Sequence, residues 1–398
     1  MPDIRNYQFR LYPTKQQENR LENNLNVCKW VYNKFVEQIQ NSFLSRNDMN
    51  YILTELKEQE PWLYKYHSKM LQMISTKLDN AQKTLIKLRK KGCKTGKIKF
   101  IKYNEYRTFT YNQSGYRLTK HGDTNLLYLS KIGHIEIRLH REISDVIKQI
   151  IVTRTKRGKW CACITCEINN IIAPKLNFEK IVGIDVGIKN FVYDSEGNGV
   201  SNPLNLKKML KPLRRVQRKI SRRRKGSNNR LKVIKRMQKI YEKIVNSRKD
   251  FQHKVSTHYA KNYDVIFVER LQTLNMIKNH KLSRSIMDSS WGTFLQKLDY
   301  KCKLMVEVSP RNTTIDCSRC GNKVRKSLAV RIHRCNTCNL VIDRDYNASI
   351  NILQKGLEIF GIKPKVINYL NCELPQEMRK VTPVKIVKIY EAGKNQLF

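Results

Sequence analysis

The stretch KIVGIDVGIKNFVYD, residues 180–194, decides how the fold of this chain is interpreted. Its apolar residues come in runs rather than in strict alternation, which is typical of a strand buried on both faces, and a glycine turn follows. Two later stretches have the same texture, NYDVIFVERL at 262–271 and KLMVEVS at 303–309, and a helix is predicted between them near Ser285 to Cys302. The sequence therefore predicts an α/β core.

The composition indicates a polyanionic partner. The 398 residues include 78 Lys and Arg against 33 Asp and Glu, a formal net charge of +45. This charge repels itself unless a polyanion neutralises it, so nucleic acid is the first partner to expect. The hydrophobic fraction of 40% excludes a disordered basic tail, and no apolar run approaches the roughly 18 residues of a membrane span.

The cysteines and the chain start bear on localisation. Eleven cysteines are an odd number, and the start MPDIRNYQFR lacks the apolar core of a signal peptide. We therefore expect a reducing intracellular compartment, the cytoplasm, with the protein associated with the nucleoid. The length predicts two or three domains at roughly 100 to 200 residues each.

The first part of the chain is expected to combine a β-rich module with a helical one. Residues 1–12 and 97–173 alternate polar and apolar side chains as strands do, whereas residues 13–96 carry apolar residues at helical spacing. The segment WCACITC, residues 160–166, places three cysteines in one predicted strand. Core packing is favoured over metal binding there, because no further ligand follows at the spacing of a closed site.

Residues 205–250 predict a basic helical hairpin. They contain nineteen Lys and Arg but two acids, and are broken at KGSNN. Their apolar residues, among them Leu231 and Tyr241, keep helical phase and predict one apolar face. The alternative, a merely solvated face, would need interspersed acids for i,i+4 pairing. We therefore expect nucleic-acid contacts from this hairpin. The candidate residues are Arg214, Arg215, Arg218, Arg222, Arg223, Arg224 and Lys225.

Two CxxC motifs predict a structural metal site. Cys317 and Cys320 are followed, after fourteen residues, by Cys335 and Cys338. Four thiolates on two tight turns can close a tetrahedron about Zn²⁺ and leave no position open for a water. Disulfides or a redox pair suit neither the compartment nor the doubled motif, and His333, between the motifs, is not needed as a ligand.

Three acids form a second constellation. Asp185 and Glu269 end apolar strand segments, where a lone charge is costly, and Asp345 lies in the first turn of a predicted helix in DRDYNASINILQKG. Converging carboxylates can hold two Mg²⁺ ions about 4 Å apart, as in metal-dependent nucleases. Each acid also has a simpler interpretation: Asp185 in a turn, Asp345 as a helix N-cap, and Glu269 paired with Arg270 or a nearby lysine.

These motifs together resemble the transposon-encoded TnpB family, over about residues 4 to 355. The matching segments are YQFRLYPTKQQ, CKWVYNK, KIVGIDVGIKNF, LRRVQRKISRRRKGSNNR, RKDFQHKVSTHYAKNYDVIFVERL, SSWGTFLQKLDYK, TTIDCSRCG and CNTCNLVIDRDYNASINIL. Residues from about 40 to 170 resemble the family only in their general helical and β pattern, without matching motifs. The second acidic motif departs from the family, since it reads Glu-Arg-Leu where Glu-Asp-Leu is more usual.

The resemblance implies a mixed, multidomain α/β protein with an RNase H-like (RuvC-like) nuclease core at 178–315 and 341–360, interrupted by a zinc ribbon at 316–340. It implies catalysis and magnesium (or manganese) binding by Asp185, Glu269 and Asp345, with Asp343 not a ligand. The strands at 1–12 and 97–173 become a wedge-like, β-barrel-like module around a helical recognition module.

The implied activity is RNA-guided cleavage of double-stranded DNA, with a guide RNA derived from the transposon as partner. Gln72 and Lys77 are then candidates for contacts to the short flanking DNA motif, and residues 361–398 form a loosely attached tail. No helix-turn-helix reader is recognisable. Two alternatives stay open: a non-catalytic nucleic-acid-binding regulator of transposition, and a transposase that joins strands.

Overall fold

The structure, a computed structural model, describes residues 3–40, 42–102, 105–143, 146–168, 176, 179–327 and 330–362. The chain divides into two compact units, Met1–Ile172 and Ala173–Phe398. The predicted tail at 361–398 lies outside the described residues from residue 363 onward. In the part of the chain that is described, no helix is long and apolar enough to cross a membrane.

One antiparallel sheet organises the first unit. Its strands are β1 (Asp3–Tyr12), β2 (Thr108–Asn112), β3 (Tyr116–His121), β4 (Thr124–Leu129), β5 (Gly133–Arg138), β6 (Val146–Arg154) and β7 (Trp160–Ile168). They lie in the order β2-β6-β7-β1-β5-β4-β3, so the N-terminal strand is central and joins segments more than a hundred residues apart. The described strands form an open sheet with β2 and β3 at its two edges, not a closed barrel.

Three helices pack in the same unit: α1 (Lys15–Ile39), α2 (Arg46–Gln59) and α3 (Ser68–Lys90). Thr14 caps α1 through a capping box with Gln17, as the sequence predicts. Helix α2 was not singled out from the sequence, although Ser45 and Asp48 form a second capping box at its start. Of the three cysteines in β7, Cys166 is fully buried and the other two are half-buried.

The second unit contains a mixed sheet. Its strands are β8 (Ile181–Asp185), β9 (Asn190–Asp194), β10 (Gly199–Ser201), β11 (Val265–Glu269) and β12 (Leu304–Val308), in the order β10-β9-β8-β11-β12. Strands β8, β11 and β12 run parallel, whereas β9 and β10 pair antiparallel with their neighbours. The parallel strands coincide with the three apolar runs of the sequence, so the fold is mixed α/β. Strands β8 and β11 are buried as predicted, whereas β12 ends the sheet and is mostly half-buried, with Glu307 exposed.

The basic hairpin consists of α4 (Asn205–Ser221) and α5 (Asn228–Asn262). Helix α5 runs twelve residues beyond the predicted end at 250, because Phe251, Val255 and Tyr259 continue its apolar stripe into the core of the second unit. The predicted apolar face is wrong in part, since Leu231 is 50% exposed and Tyr241 is 41% exposed.

The single helix predicted near Ser285 to Cys302 is also wrong. The structure has α6 (Thr273–Ile277), α7 (Ser283–Ser289) and α8 (Trp291–Asp299), and the last two are separated at Ser290. Ser290 has a φ of 52°, a left-handed conformation that an α-helix of L-residues does not tolerate. The chain therefore changes direction there although the apolar periodicity continues.

A short hairpin of β13 (Ile332–Arg334) and β14 (Val341–Asp343) leads into the last described helix, α9 (Arg344–Ile359). Helix α9 packs on β8 and approaches it closely at Gly183. A Cβ atom at Gly183 would lie 2.3 Å from the carbonyl oxygen of Ser349, so the contact needs a residue without a side chain. This packing determines where α9 begins relative to the end of β8.

Candidate active site and metal centre

Two of the three predicted acids end neighbouring parallel strands. Asp185 is the last residue of β8, and Glu269 is the last residue of β11. Ile184 pairs with Val268, so the two acids follow at the same edge of the sheet. The carboxyl ends of adjacent parallel strands are where open α/β sheets bind their ligands.

The third acid comes from α9, where Asp345 lies in the first turn and is 6% exposed. Burial and the nearby carboxylates of Glu269 and Asp345 raise the pKa of Asp185 well above its usual range. Burial also raises the pKa of Glu269. The structure therefore brings Glu269 and Asp345 close enough to Asp185 to disfavour its charged form, although the three acids come from three separate parts of the chain.

The partner of Glu269 differs from the simple ion pair considered above. Arg270 donates to Glu307 at 3.1 Å instead. The hydroxyl of Thr313 donates a hydrogen bond to Glu269, and this bond and the charge of Lys355 partly offset the effect of burial on the Glu269 pKa. The Glu269 carboxylate therefore accepts a hydrogen bond from the neutral hydroxyl of Thr313, with the cationic side chain of Lys355 nearby.

Asp345 is held by two arginines. A guanidinium nitrogen of Arg344 lies 3.0 Å from its carboxylate, and one of Arg331 lies 3.7 Å away. The helix N-cap is not Asp345 but Asp343, which accepts from the backbone N–H of Asp345 at 2.7 Å. Asp343 therefore has a structural role as the cap at the start of α9.

Sequence reasoning missed Thr313 and Arg331. Both lie in segments that matched the family or the ribbon, TTIDCSRCG and the basic stretch between the CxxC motifs, but neither has a local pattern that indicates contact with an acid. Their proximity to Glu269 and Asp345 comes from the way the chain folds back between β12 and α9.

The four predicted cysteines converge. Cys317, Cys320, Cys335 and Cys338 place their sulfur atoms within 4.8 Å of one another, the one such group of potential metal ligands among the described residues. Two sulfur pairs, Cys317 with Cys338 and Cys320 with Cys335, are 3.6 Å apart. Tetrahedral zinc with bonds of about 2.3 Å separates its sulfurs by about 3.8 Å, so the residues fit that ion.

The environment of the cluster also fits thiolate ligands. Backbone N–H groups of Cys338 and Thr337 lower the pKa of Cys335 to about 6, whereas burial raises the pKa of Cys317 to about 12. One thiolate is therefore favoured before any cation binds, and a cation would favour the rest. His333 lies outside the cluster and is fully buried; burial lowers its pKa to about 4, so it is neutral at neutral pH.

The candidate nucleic-acid residues of the hairpin are all solvent-exposed, namely Arg214, Arg215, Arg218, Arg222, Arg223, Arg224 and Lys225. On α3, Lys77 is exposed as well, whereas Gln72 is half-buried. The ammonium group of Lys77 lies 5.1 Å from the centre of the Tyr106 ring. Partial desolvation of that ammonium group lowers the pKa of Lys77.

Three family models match different parts of the sequence. One described as a probable transposase covers residues 163–291, and one described as a Cas12f1-like TNB domain covers residues 291–352. A third, described as a helix-turn-helix domain, covers residues 1–47, so the expectation that no such reader is recognisable is wrong at the level of sequence. In the structure the described residues of that range form β1, the single long helix α1 and the start of α2.

Two relatives match this chain nearly end to end, and a third matches about half of it. A Streptomyces pristinaespiralis protein named "Putative RNA-guided DNA endonuclease" is 30% identical over 385 residues, which cover 91% of this chain and 92% of that protein. An Escherichia coli K12 protein with a name of the same kind is 28% identical, covering 89% of this chain and 93% of its own length. A TnpB-like protein of Methanocaldococcus jannaschii is 31% identical over 49% of this chain and 76% of its own.

The fold also has a solved counterpart. The protein in a cryo-EM structure of a Cas12f1-sgRNA-target DNA complex matches with a TM-score of 0.52 at 14% identity, over 88% of this chain and 98% of that one. At that identity the likeness is one of fold. The end-to-end relatives and the family models carry the assignment: this chain belongs to the TnpB family.

Proposed function

We propose that this protein is an RNA-guided DNA endonuclease of a mobile element, which hydrolyses phosphodiester bonds at Asp185, Glu269 and Asp345 in an RNase H-like (RuvC-like) core. Family membership and the names of the end-to-end relatives support the reaction class. The observation that carries the site is that Asp185 and Glu269 end adjacent parallel strands with the first turn of α9 beside them, so that burial and the carboxylates of Glu269 and Asp345 raise the pKa of Asp185. A protein keeps such repulsion where a cation from solution relieves it.

The donor set suits magnesium. Carboxylate oxygens are the ligands that hard divalent cations prefer, and Asp185 and Glu269 each keep part of their surface accessible. When bound, two Mg²⁺ (or Mn²⁺) ions would activate a water and stabilise the charge on the leaving oxygen. The role of the three acids is to hold those ions, and the role of Arg344 and Arg331 is to fix Asp345.

The four cysteines are proposed to bind structural zinc. The ribbon they close is continuous with α9, because β14 ends at Asp343 and the helix begins at Arg344. Zinc would therefore stabilise the segment from which Asp345 projects, and would take no part in the chemistry.

The proposed partners are a guide RNA and double-stranded target DNA. The exposed arginines and lysine of α4 and the following turn, residues 214–225, supply positive charge for phosphate contacts. Gln72 and Lys77 on α3 are proposed to contact the short flanking motif, with the first unit acting as the recognition and wedge modules. Base pairing, rather than side chains, then reads the target.

The test is a guide exchange. The protein is co-expressed with two RNAs that differ only in the guide segment, and cut ends are sequenced on a plasmid library with Mg²⁺ present. We expect cleavage to move to whichever site matches the guide beside a constant flanking motif. Cuts that stay at one site whatever the guide would favour a site-specific transposase, and binding without cuts would favour a regulatory protein.

A further inference from the structure

The segment between β12 and the first CxxC motif contains a buried threonine that contacts the candidate active site. Thr313 is 2% exposed, and its hydroxyl donates a hydrogen bond to Oε1 of Glu269. The carbonyl oxygen of Pro310, 3.2 Å from the same hydroxyl, is the more distant acceptor. A hydroxyl has one proton to give, and here the nearer acceptor is the carboxylate.

The backbone of Thr313 is itself fixed by α9. The side-chain amide of Asn351 donates to the carbonyl oxygen of Thr313 at 2.8 Å and to that of Asp316 at 2.7 Å. Asn347, one turn earlier on α9, donates to the same Asp316 oxygen at 2.8 Å. Both asparagines are buried, so these bonds are shielded from competition by water.

The helix that carries Asp345 therefore also determines where Thr313 lies. Asn347 and Asn351 are spaced i,i+4 and share one face of α9, and Asp345 lies in its first turn. The chain of contacts runs from α9 through Asn351 and Thr313 to Glu269, which lies at the end of a different strand. Helix α9 therefore positions two acids: Asp345 directly, and Glu269 through Asn351 and Thr313.

We propose that Thr313 is a positioning residue, whose hydroxyl orients the Glu269 carboxylate for a divalent cation, and that Asn351 holds Thr313 in place. This inference rests on the proposed function, because it takes Glu269 as a metal ligand. Partners that orient metal ligands typically contribute about 10-fold to 100-fold to metal affinity or activity. An ordinary core threonine would contribute to stability alone.

The test compares four proteins: wild type, Thr313→Val, Thr313→Ser and the matched control Thr314→Val. Thr314 is the adjacent residue and is exposed, so the control makes the same chemical change away from Glu269. Mn²⁺ affinity is measured by calorimetry on the full chain with its RNA, together with the Mg²⁺ dependence of cleavage, the melting temperature and the zinc content.

We expect Thr313→Val to weaken Mn²⁺ binding and to raise the Mg²⁺ concentration for half-maximal cleavage by about 10-fold or more. Thr313→Ser, which keeps the hydroxyl, and Thr314→Val should stay near wild type, with zinc content unchanged in all four. If Thr313→Val does not fold, Thr313→Ala against Thr313→Ser isolates the hydroxyl in the same way. Wild-type metal affinity in the variant without the hydroxyl would overturn the inference.

The two proposals fail differently. If metal affinity depends on the Thr313 hydroxyl but no guide-directed cleavage occurs, the positioning role stands and the proposed function fails. If wild type cleaves and Glu269→Gln does not, while Thr313→Val binds and cleaves normally, the proposed function stands and the positioning role fails. If wild type binds no Mn²⁺ at Glu269, both are rejected.

Discussion

Replacing Gly183 by alanine should displace the helix that carries Asp345. The new Cβ atom would lie 2.3 Å from the carbonyl oxygen of Ser349 and 2.6 Å from the backbone nitrogen of Leu353, both on α9. Ordinary contacts begin at 3.4 Å, so the helix must move by about 1 Å. Backbone atoms of a packed helix cannot turn aside as a flexible side chain can, so the whole element shifts.

Two magnitudes follow from that shift. Overpacking a core costs about 1 to 3 kcal/mol, and each kcal/mol lowers the melting temperature of a unit of this size by about 2 to 4 °C. Asp345 lies one turn before Ser349 on the same helix, and a misplacement of about 1 Å at a catalytic group can cost about 100-fold in rate. Gly183→Ala should therefore lose both stability and cleavage.

The assay is thermal unfolding of the purified protein together with guide-directed plasmid cleavage. Gly292→Ala is the matched control, because it lies in α8 and no heavy atom of its surroundings is within 4 Å of the added Cβ. Removing a helical glycine there should stabilise the protein by up to about 1 kcal/mol. A Gly183→Ala protein with wild-type melting temperature and cleavage would refute the packing argument. A lower melting temperature with unchanged cleavage would refute the claim that displacing α9 displaces Asp345.

Four further outcomes are expected. Alanine at Asp185, Glu269 or Asp345 should each abolish cleavage and leave RNA affinity nearly unchanged, and near-wild-type cutting by one variant would remove that residue from the site. Asp185→Asn should raise the melting temperature measured without divalent metal, and more so at about pH 7 than at about pH 5. The pKa of Asp185 is raised in the folded state, so the folded state favours the protonated carboxyl group, and the charged form that prevails at higher pH destabilises it. Elemental analysis should find one zinc per chain, and Cys317→Ser should lower both zinc content and melting temperature; zinc at the wild-type level would contradict the site. Neutralising residues 222–225 together should weaken RNA binding and reduce the log-log salt slope by about 0.7 to 0.9 for each phosphate that the protein no longer neutralises, whereas an unchanged slope would mean a solvated face.

Local patterns were sufficient for the elements that carry the acids. The apolar runs before Asp185 and Glu269 are long enough for buried strands and too short for helices, so each strand end could be located from the sequence. The two CxxC motifs likewise have a spacing that few other structures explain, and their sulfurs meet in the fold. In both cases the residues that determine the local structure lie close together in the sequence.

The features that were missed depend on distant parts of the chain. The break at Ser290 leaves the apolar periodicity intact, so no period-based argument detects it. The exposure of Leu231 and Tyr241 depends on how α4 lies against α5, which the pattern of either helix alone does not determine. Thr313 and Arg331 reach acids in other segments, and their own neighbours in sequence give no indication of it.

The distribution of charge explains why so basic a chain keeps repelling acids together. With a net charge of +45, a lysine or arginine could have been placed beside each carboxylate, and Asp345 does have two arginines. The largest influences on the pKa of Asp185 are burial and the other acids, with Arg344 only a lesser opposing charge. Under the proposed function, a permanent cation beside Asp185 would stabilise the fold but would occupy the space of the proposed metal ion, so the proposed site gives up stability for an exchangeable cation. Part of the surplus of positive charge, nineteen Lys and Arg against two acids, lies instead on the hairpin at 205–250, where an RNA or DNA backbone can reach its exposed residues.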